Sequence, residues 1–161
     1  MLTPVDRRTL ILALLMAAIA VPAMGATRPA RPAKILFVCQ FGSVKSPIAR
    51  ELLKRRAAQL GIKVDVKARG ITPELHLPEE IRRTLARDGI DPTAEPIQRL
   101  AAADIHGADL VIFFDKLPAR YTPKHSLDWT DLPSIVNNYR AARQSLDQRI
   151  DQLLKQLSAG S

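Results

Sequence analysis

Residues 35–47 constrain the fold more strongly than any other stretch of the sequence. They consist of a short apolar run, a segment that contains a glycine, and a serine-proline pair typical of the start of a helix. The run 35–38 does not alternate with polar residues, which is typical of a strand buried on both faces. Gly42 permits a left-handed turn, and Ser46 before Pro47 is typical of an N-cap and first helical residue. The stretch predicts a strand, a tight loop and a helix capped by Ser46.

Cys39, the single cysteine of the chain, stands where this strand ends. Its sulfur would face loop N–H groups and a helix N-terminus, which together form an anion-binding nest. Such surroundings bind oxyanions and favour the nucleophilic thiolate form of a cysteine. One cysteine excludes an intramolecular disulfide, and it excludes a reductase that resolves its adduct with a second cysteine of its own.

The spacing of Cys39, five residues, Lys45, Ser46 and Pro47 resembles the phosphate-binding loop of low-molecular-weight protein tyrosine phosphatases and the related arsenate reductases. That family has cysteine, five residues, arginine and serine. Here Lys45 takes the position of the arginine, and the family's glycine-asparagine is shifted to residues 41–43. The resemblance implies an α/β fold of three layers, with a four-stranded parallel sheet of order 2-1-3-4 flanked by helices.

The resemblance also implies the roles of individual residues. Cys39 would attack phosphorus and form a cysteinyl-phosphate, with Asp131 as general acid and Asp128 as the reserve. Ser46 has two compatible roles, as helix cap or as hydroxyl donor to the thiolate. The residues expected to bind phosphate are Gln40, Phe41, Gly42, Ser43, Val44, Lys45 and Ser46.

Lys45 leaves the activity open, because an ammonium is a point charge whereas a guanidinium binds two oxygens at once. The leading prediction is a phosphatase that hydrolyses phosphomonoesters, without specificity for tyrosine because the family's aromatic residues beside the acid have no clear counterpart. The alternatives are a non-catalytic oxyanion-binding or interaction domain on the same fold, and an arsenate reductase that uses an external thiol.

The remaining chain reads as alternating strands and helices. We expect a C-terminal helix, capped by Ser134, with an apolar stripe from Ile135 to Leu157 at intervals of three and four. Residues 94–100 form a short connection or strand. The other expected elements are helix 46–60, strand 64–68, helix 78–88, short helix 101–108 and the apolar strand 109–115.

The first 26 residues are predicted to be a signal peptide, because Arg7-Arg8 precedes an apolar stretch and small residues that suit cleavage. The arginine pair resembles a twin-arginine export signal. The alternative is an uncleaved anchor in the inner membrane that faces the periplasm. A proline-rich linker would follow over residues 27–33, and the phosphatase-like domain over 34–157. Both alternatives place that domain in the bacterial periplasm.

The formal charge of +8 fits an acidic partner, such as a phosphorylated substrate, or a solvated basic surface. Aromatic residues make up 4% of the chain, too few for base stacking, so no nucleic acid partner is expected. A membrane contact is expected only if the leader is uncleaved. The scattered His76, His106 and His125 lack the spacing of metal ligands, and neither a metal nor a cofactor is expected.

Overall fold

The computed structural model describes residues 31–159, so the predicted signal peptide (1–26) and linker residues 27–30 lie outside the described residues. No helix within residues 31–159 is both long and apolar enough to cross a bilayer. In chain order the elements are β1 (Ala33–Cys39), α1 (Lys45–Gln59), β2 (Val64–Gly70), α2 (Glu79–Arg87), α3 (Ala102–Gly107), β3 (Leu110–Phe113), β4 (Ser126–Asp128) and α4 (Tyr139–Ala159).

The four strands form one parallel sheet in the order β2-β1-β3-β4. Strand β1 pairs with β2 along its whole length, from Ala33 opposite Val64 to Cys39 opposite Gly70. Its other edge pairs with β3. Parallel neighbours require long crossover connections. Helices supply those that leave β1 and β2, whereas residues 114–125 join β3 to β4 without a helix. The predicted architecture and strand order are confirmed.

Alternate residues of β1 serve two hydrophobic cores, as the two-residue period of a strand requires. Ile35, Phe37 and Cys39 belong to the larger core, which α1, α2 and α4 cover. Leu36 and Val38 belong to the smaller core on the other face, beside α3. The run is uniformly apolar because both faces are covered, and the molecule has three layers.

The last helix begins later than expected, and the expectation that Ser134 caps it is wrong. Helix α4 starts at Tyr139, and the Asn138 side-chain oxygen accepts a hydrogen bond from the N–H of Ala141 at 3.2 Å. Ser134 Oγ instead accepts from Asn137 N–H, also at 3.2 Å. Asparagine is as good an N-cap as serine, so residues 134–138 form a separate turn before the helix.

Two boundaries and one strand also differ from the expectations. Strand β2 continues to Gly70, and β3 ends at Phe113. The segment 94–100 contributes a single bridge, from Arg99 to Gly70. The fourth strand of the predicted sheet was not placed on the sequence, because the three residues of β4 are exposed or half-buried and carry no apolar run.

Leu146 on α4 tests the larger core. Its side chain is fully buried, so Leu146→Ala should lower the free energy of unfolding by about 2–5 kcal/mol through lost apolar contact and an unfilled cavity. The exposed Gln152 on the same helix is the control, and Gln152→Ala should stay within about 0.5 kcal/mol of wild type. Urea unfolding measures both, and equal effects would contradict the assigned packing of α4.

Candidate active site

The sulfur of Cys39 lies at the base of the loop between β1 and α1. Its Sγ accepts a hydrogen bond from Gly42 N–H at 3.2 Å and lies 3.0 Å from Ser46 Oγ. Ser46 is not the N-cap that was expected, because α1 begins at Lys45 with Val44 in the cap position and no side-chain cap bond. The Ser46 hydroxyl is instead within hydrogen-bond distance of the Cys39 sulfur, and either atom can be the donor.

Two glycines let the loop lie directly against the end of β2. Gly42 has a φ of 70°, and a Cβ on it would lie 2.8 Å from the backbone nitrogen of Gly70. A Cβ on Gly70 would lie 2.8 Å from the carbonyl carbon of Phe41. Non-bonded carbon atoms do not approach so closely, so this contact requires glycine on both sides.

The segment that follows β2 runs beside the loop and is joined to it by hydrogen bonds. These run from Ile71 N–H to Cys39 O (3.0 Å), Thr72 N–H to Gln40 O (2.8 Å), Glu74 N–H to Phe41 O (3.1 Å) and His76 N–H to Ser43 Oγ (3.1 Å). The ring of His76 also contacts the ring of Phe41, with centroids 5.4 Å apart. The loop conformation is thus fixed along most of its length by residues after β2.

Lys45, the first residue of α1, directs its ammonium to the end of β3. Its Nζ donates to Asp115 Oδ1 at 3.1 Å and to the carbonyl oxygen of Phe114 at 3.3 Å. Asp115 Oδ2 accepts from Gln40 N–H at 2.9 Å. Sequence reasoning did not assign a role to Asp115. The signal was available, because a carboxylate directly after a strand that neighbours β1 must lie near Cys39.

A cavity of about 180 Å³ opens over the loop. The residues that line it include Cys39, Lys45, His76 and Asp115. Among the residues predicted to bind phosphate, Gly42 and Ser46 do not line the cavity and contact Sγ instead. The remaining lining residues are Gln40, Phe41, Ser43, Val44, Ser134, Ile135 and Val136.

Asp131, the predicted general acid, does not line this cavity. Both of its carboxylate oxygens accept hydrogen bonds from Arg149, at 2.9 and 2.8 Å, and 73% of its side chain is exposed. These hydrogen bonds lower the pKa of Asp131 below its ordinary value, which disfavours the protonated form that an acid needs. Asp128, the reserve, accepts instead from Thr130, and its pKa is lowered as well.

The arrangement suits an oxyanion beside a nucleophilic sulfur. The first N–H groups of α1 have no acceptor within the helix, and the positive end of the helix dipole faces the loop. Lys45 adds a positive charge, and two of its three N–H donors are used by protein acceptors. Within residues 31–159 no cluster of three or more His, Cys, Asp or Glu side chains could bind a metal ion.

Residues 34–130 match the family model for low molecular weight phosphotyrosine protein phosphatase. No curated protein sequence matches the chain at a significant level. The match to the family model covers more than half of the chain and includes the whole loop from Cys39 to Ser46.

Solved structures of similar fold include YfkJ from Bacillus subtilis, with 19% identity and a TM-score of 0.67 over 83% of this chain and 99% of that one. The low molecular weight protein tyrosine phosphatase of T. tengcongensis has 21% identity and a TM-score of 0.66, over 77% and 99%. A thioredoxin-dependent arsenate reductase from Corynebacterium glutamicum has 26% identity and a TM-score of 0.60, over 81% and 63%.

The contact between Gly70 and the loop gives a stability test. Gly70→Ala places a Cβ against the backbone of Phe41 and Gly42, so the loop must shift and the free energy of unfolding should fall by about 1–3 kcal/mol. Gly107 has open space around it and no positive φ, so Gly107→Ala should cost nothing measurable. Urea unfolding compares the two, and an equally small effect would contradict the close approach.

Proposed function

Because this chain belongs to the low-molecular-weight phosphotyrosine protein phosphatase family, we propose that it hydrolyses phosphomonoesters through a cysteinyl-phosphate on Cys39. The observation that carries the proposal is the position of Cys39, a residue of the cavity lining whose Sγ accepts a hydrogen bond from Gly42 N–H and lies beside the Ser46 hydroxyl. A cysteine sulfur attacks phosphorus as the thiolate, and Gly42 N–H lies in place to donate a hydrogen bond to it.

Binding of the phosphoryl group would use the loop N–H groups, the start of α1 and the ammonium of Lys45. These donors surround the position where the equatorial oxygens of the transferred group gain charge. Lys45 has one N–H left while it is bonded to Asp115 and Phe114. A phosphoryl group would therefore compete with Asp115 for this ammonium, which weakens the stabilisation that a free guanidinium would give.

The substrate would be a phosphomonoester whose leaving group is partly apolar. Phe41, Val44, Ile135 and Val136 supply apolar walls above the polar base of the cavity. Such walls contact an aromatic or alkyl group without selecting tyrosine, because none of the four provides a hydrogen bond to it.

The paired state of Lys45 favours a second candidate, a binding domain for oxyanions that does not turn them over. An ammonium bonded to Asp115 has the charge to attract an anion but not the bidentate geometry that stabilises a transition state. Arsenate reduction is a third possibility, and it would require an external thiol because the chain has one cysteine.

Hydrolysis of para-nitrophenyl phosphate separates these functions. Wild type should turn over slowly, and Cys39→Ser should abolish the reaction because the nucleophile is lost. Lys45→Arg should raise kcat by about ten- to two-hundredfold. This is the change in rate that corresponds to about 1.5–3 kcal/mol, the energy of one further charged hydrogen bond in the transition state.

Lys67, exposed on β2, is the control for this substitution, and Lys67→Arg should leave the rate unchanged. Activity that appears only in Lys45→Arg would assign a binding role to the natural protein. No hydrolysis by either wild type or Lys45→Arg would overturn the phosphatase proposal.

We also propose that the domain is exported to the bacterial periplasm. The support is the arginine pair at residues 7–8, the apolar stretch 9–21 and the small residues that follow it. A phosphatase there would meet phosphorylated substrates outside the cytoplasm.

Cell fractionation with mass spectrometry tests export. The full chain expressed in a bacterium should appear in the periplasmic fraction without about its first 26 residues. Changing Arg7 and Arg8 together to Lys should retain an uncleaved precursor in the cytoplasm if the signal is of the twin-arginine type. Full-length protein in the inner membrane would support the anchor, and cytoplasmic wild type would contradict export.

A further inference from the structure

His76 is positioned at the cavity by two contacts with the loop. The backbone N–H of His76 donates a hydrogen bond to the hydroxyl of Ser43, a residue that is only 4% exposed. Its ring lies against Phe41, with the ring planes 40° apart. His76 and Cys39 line the same cavity, so a ligand bound there lies beside both residues.

The other ionisable groups of the lining already have partners. Asp115 accepts from Lys45 through one oxygen and from Gln40 N–H through the other. The ammonium of Lys45 donates to Asp115 and to a carbonyl. In contrast, neither ring nitrogen of His76 has a hydrogen bond to any of residues 31–159.

A leaving oxygen needs a proton when its anion is unstable, and histidine is the side chain that most readily exchanges a proton near neutral pH. Asp131 cannot supply the proton from its observed position, where Arg149 binds both of its oxygens outside the cavity lining. His76, in contrast, is a residue of the cavity lining, and its ring has no carboxylate or guanidinium partner among residues 31–159.

We propose that His76 is the general acid and base of the hydrolysis, an inference that rests on the proposed phosphatase function. In the first step the Cys39 thiolate forms the S–P bond, the P–O bond to the leaving group breaks, and imidazolium gives its proton to the departing oxygen. In the second step neutral imidazole takes a proton from water as the water oxygen bonds to phosphorus. The S–P bond breaks, and the thiolate, imidazolium and free phosphate result.

Two substrates that differ in their leaving group test this role. The para-nitrophenolate ion departs without a proton, whereas the phenolate of phenyl phosphate benefits from one. For His76→Asn, kcat/KM should fall by about 10²-fold or more with phenyl phosphate and change little with para-nitrophenyl phosphate. The parameter kcat/KM is chosen because it reports formation of the phosphoenzyme, the step in which the leaving group departs.

His106, exposed on α3 and not in the cavity lining, provides the matched control. His106→Asn should match wild type on both substrates, and thermal unfolding should show that His76→Asn is folded. If His76→Asn loses activity equally on the two substrates, or loses none, the proposed role of His76 is overturned. The phosphatase proposal would still stand in that case, provided that wild type is active. A selective loss with phenyl phosphate in Asp131→Asn, and not in His76→Asn, would assign the proton to Asp131. Wild type inactive on both substrates would overturn both proposals.

Discussion

The pairing of β1 on both of its edges determines where every part of the site lies. Because β2 and β3 run parallel to β1 in register, all three strands deliver their following residues to one edge of the sheet. The segment after β1 is the loop that holds Cys39, the segment after β3 brings Asp115, and the segment after β2 brings His76. The Gly42–Gly70 contact then fixes the loop against its neighbour. A shift of β1 by one residue would turn Cys39 to the opposite face of the sheet.

The replacement of arginine by lysine changes how charge is distributed over the loop. An ammonium has three donors and no plane, and here two of those donors go to Phe114 O and Asp115. More of the task of binding an oxyanion then falls to backbone N–H groups, which are fixed by the loop and by α1. In such a site anion binding and catalysis would be separable, because backbone donors can bind an oxyanion whereas the transition state gains from a second cationic hydrogen bond.

Sequence patterns predicted the strand, loop and helix around Cys39 because each has a local cause: an unbroken apolar run, a glycine and a proline. They were less successful where the outcome depends on tertiary contacts. Ser46 had two compatible roles; the start of α1 at Lys45 excludes the cap, and the contact with Cys39 Sγ is present. The N-cap of α4 is Asn138 and not Ser134, which lies four residues further from the helix. His76 stands in a segment without periodicity, so only its hydrogen bond to Ser43 and its contact with Phe41 bring it to the cavity.

The position of Asp131 follows from its buried neighbours more than from its ion pair. An exposed ion pair contributes little to stability, so Arg149 alone would not prevent Asp131 from moving. However, Trp129 and Leu132 on either side are both buried, and Leu132 N–H donates to Trp129 O in the same turn. Trp129 packs against Phe37 and Phe114 in the larger core. Moving the backbone at Asp131 would disturb these buried neighbours and expose apolar surface to water. His76 already belongs to the cavity lining, and this is the physical reason for proposing it, rather than Asp131, as the proton donor.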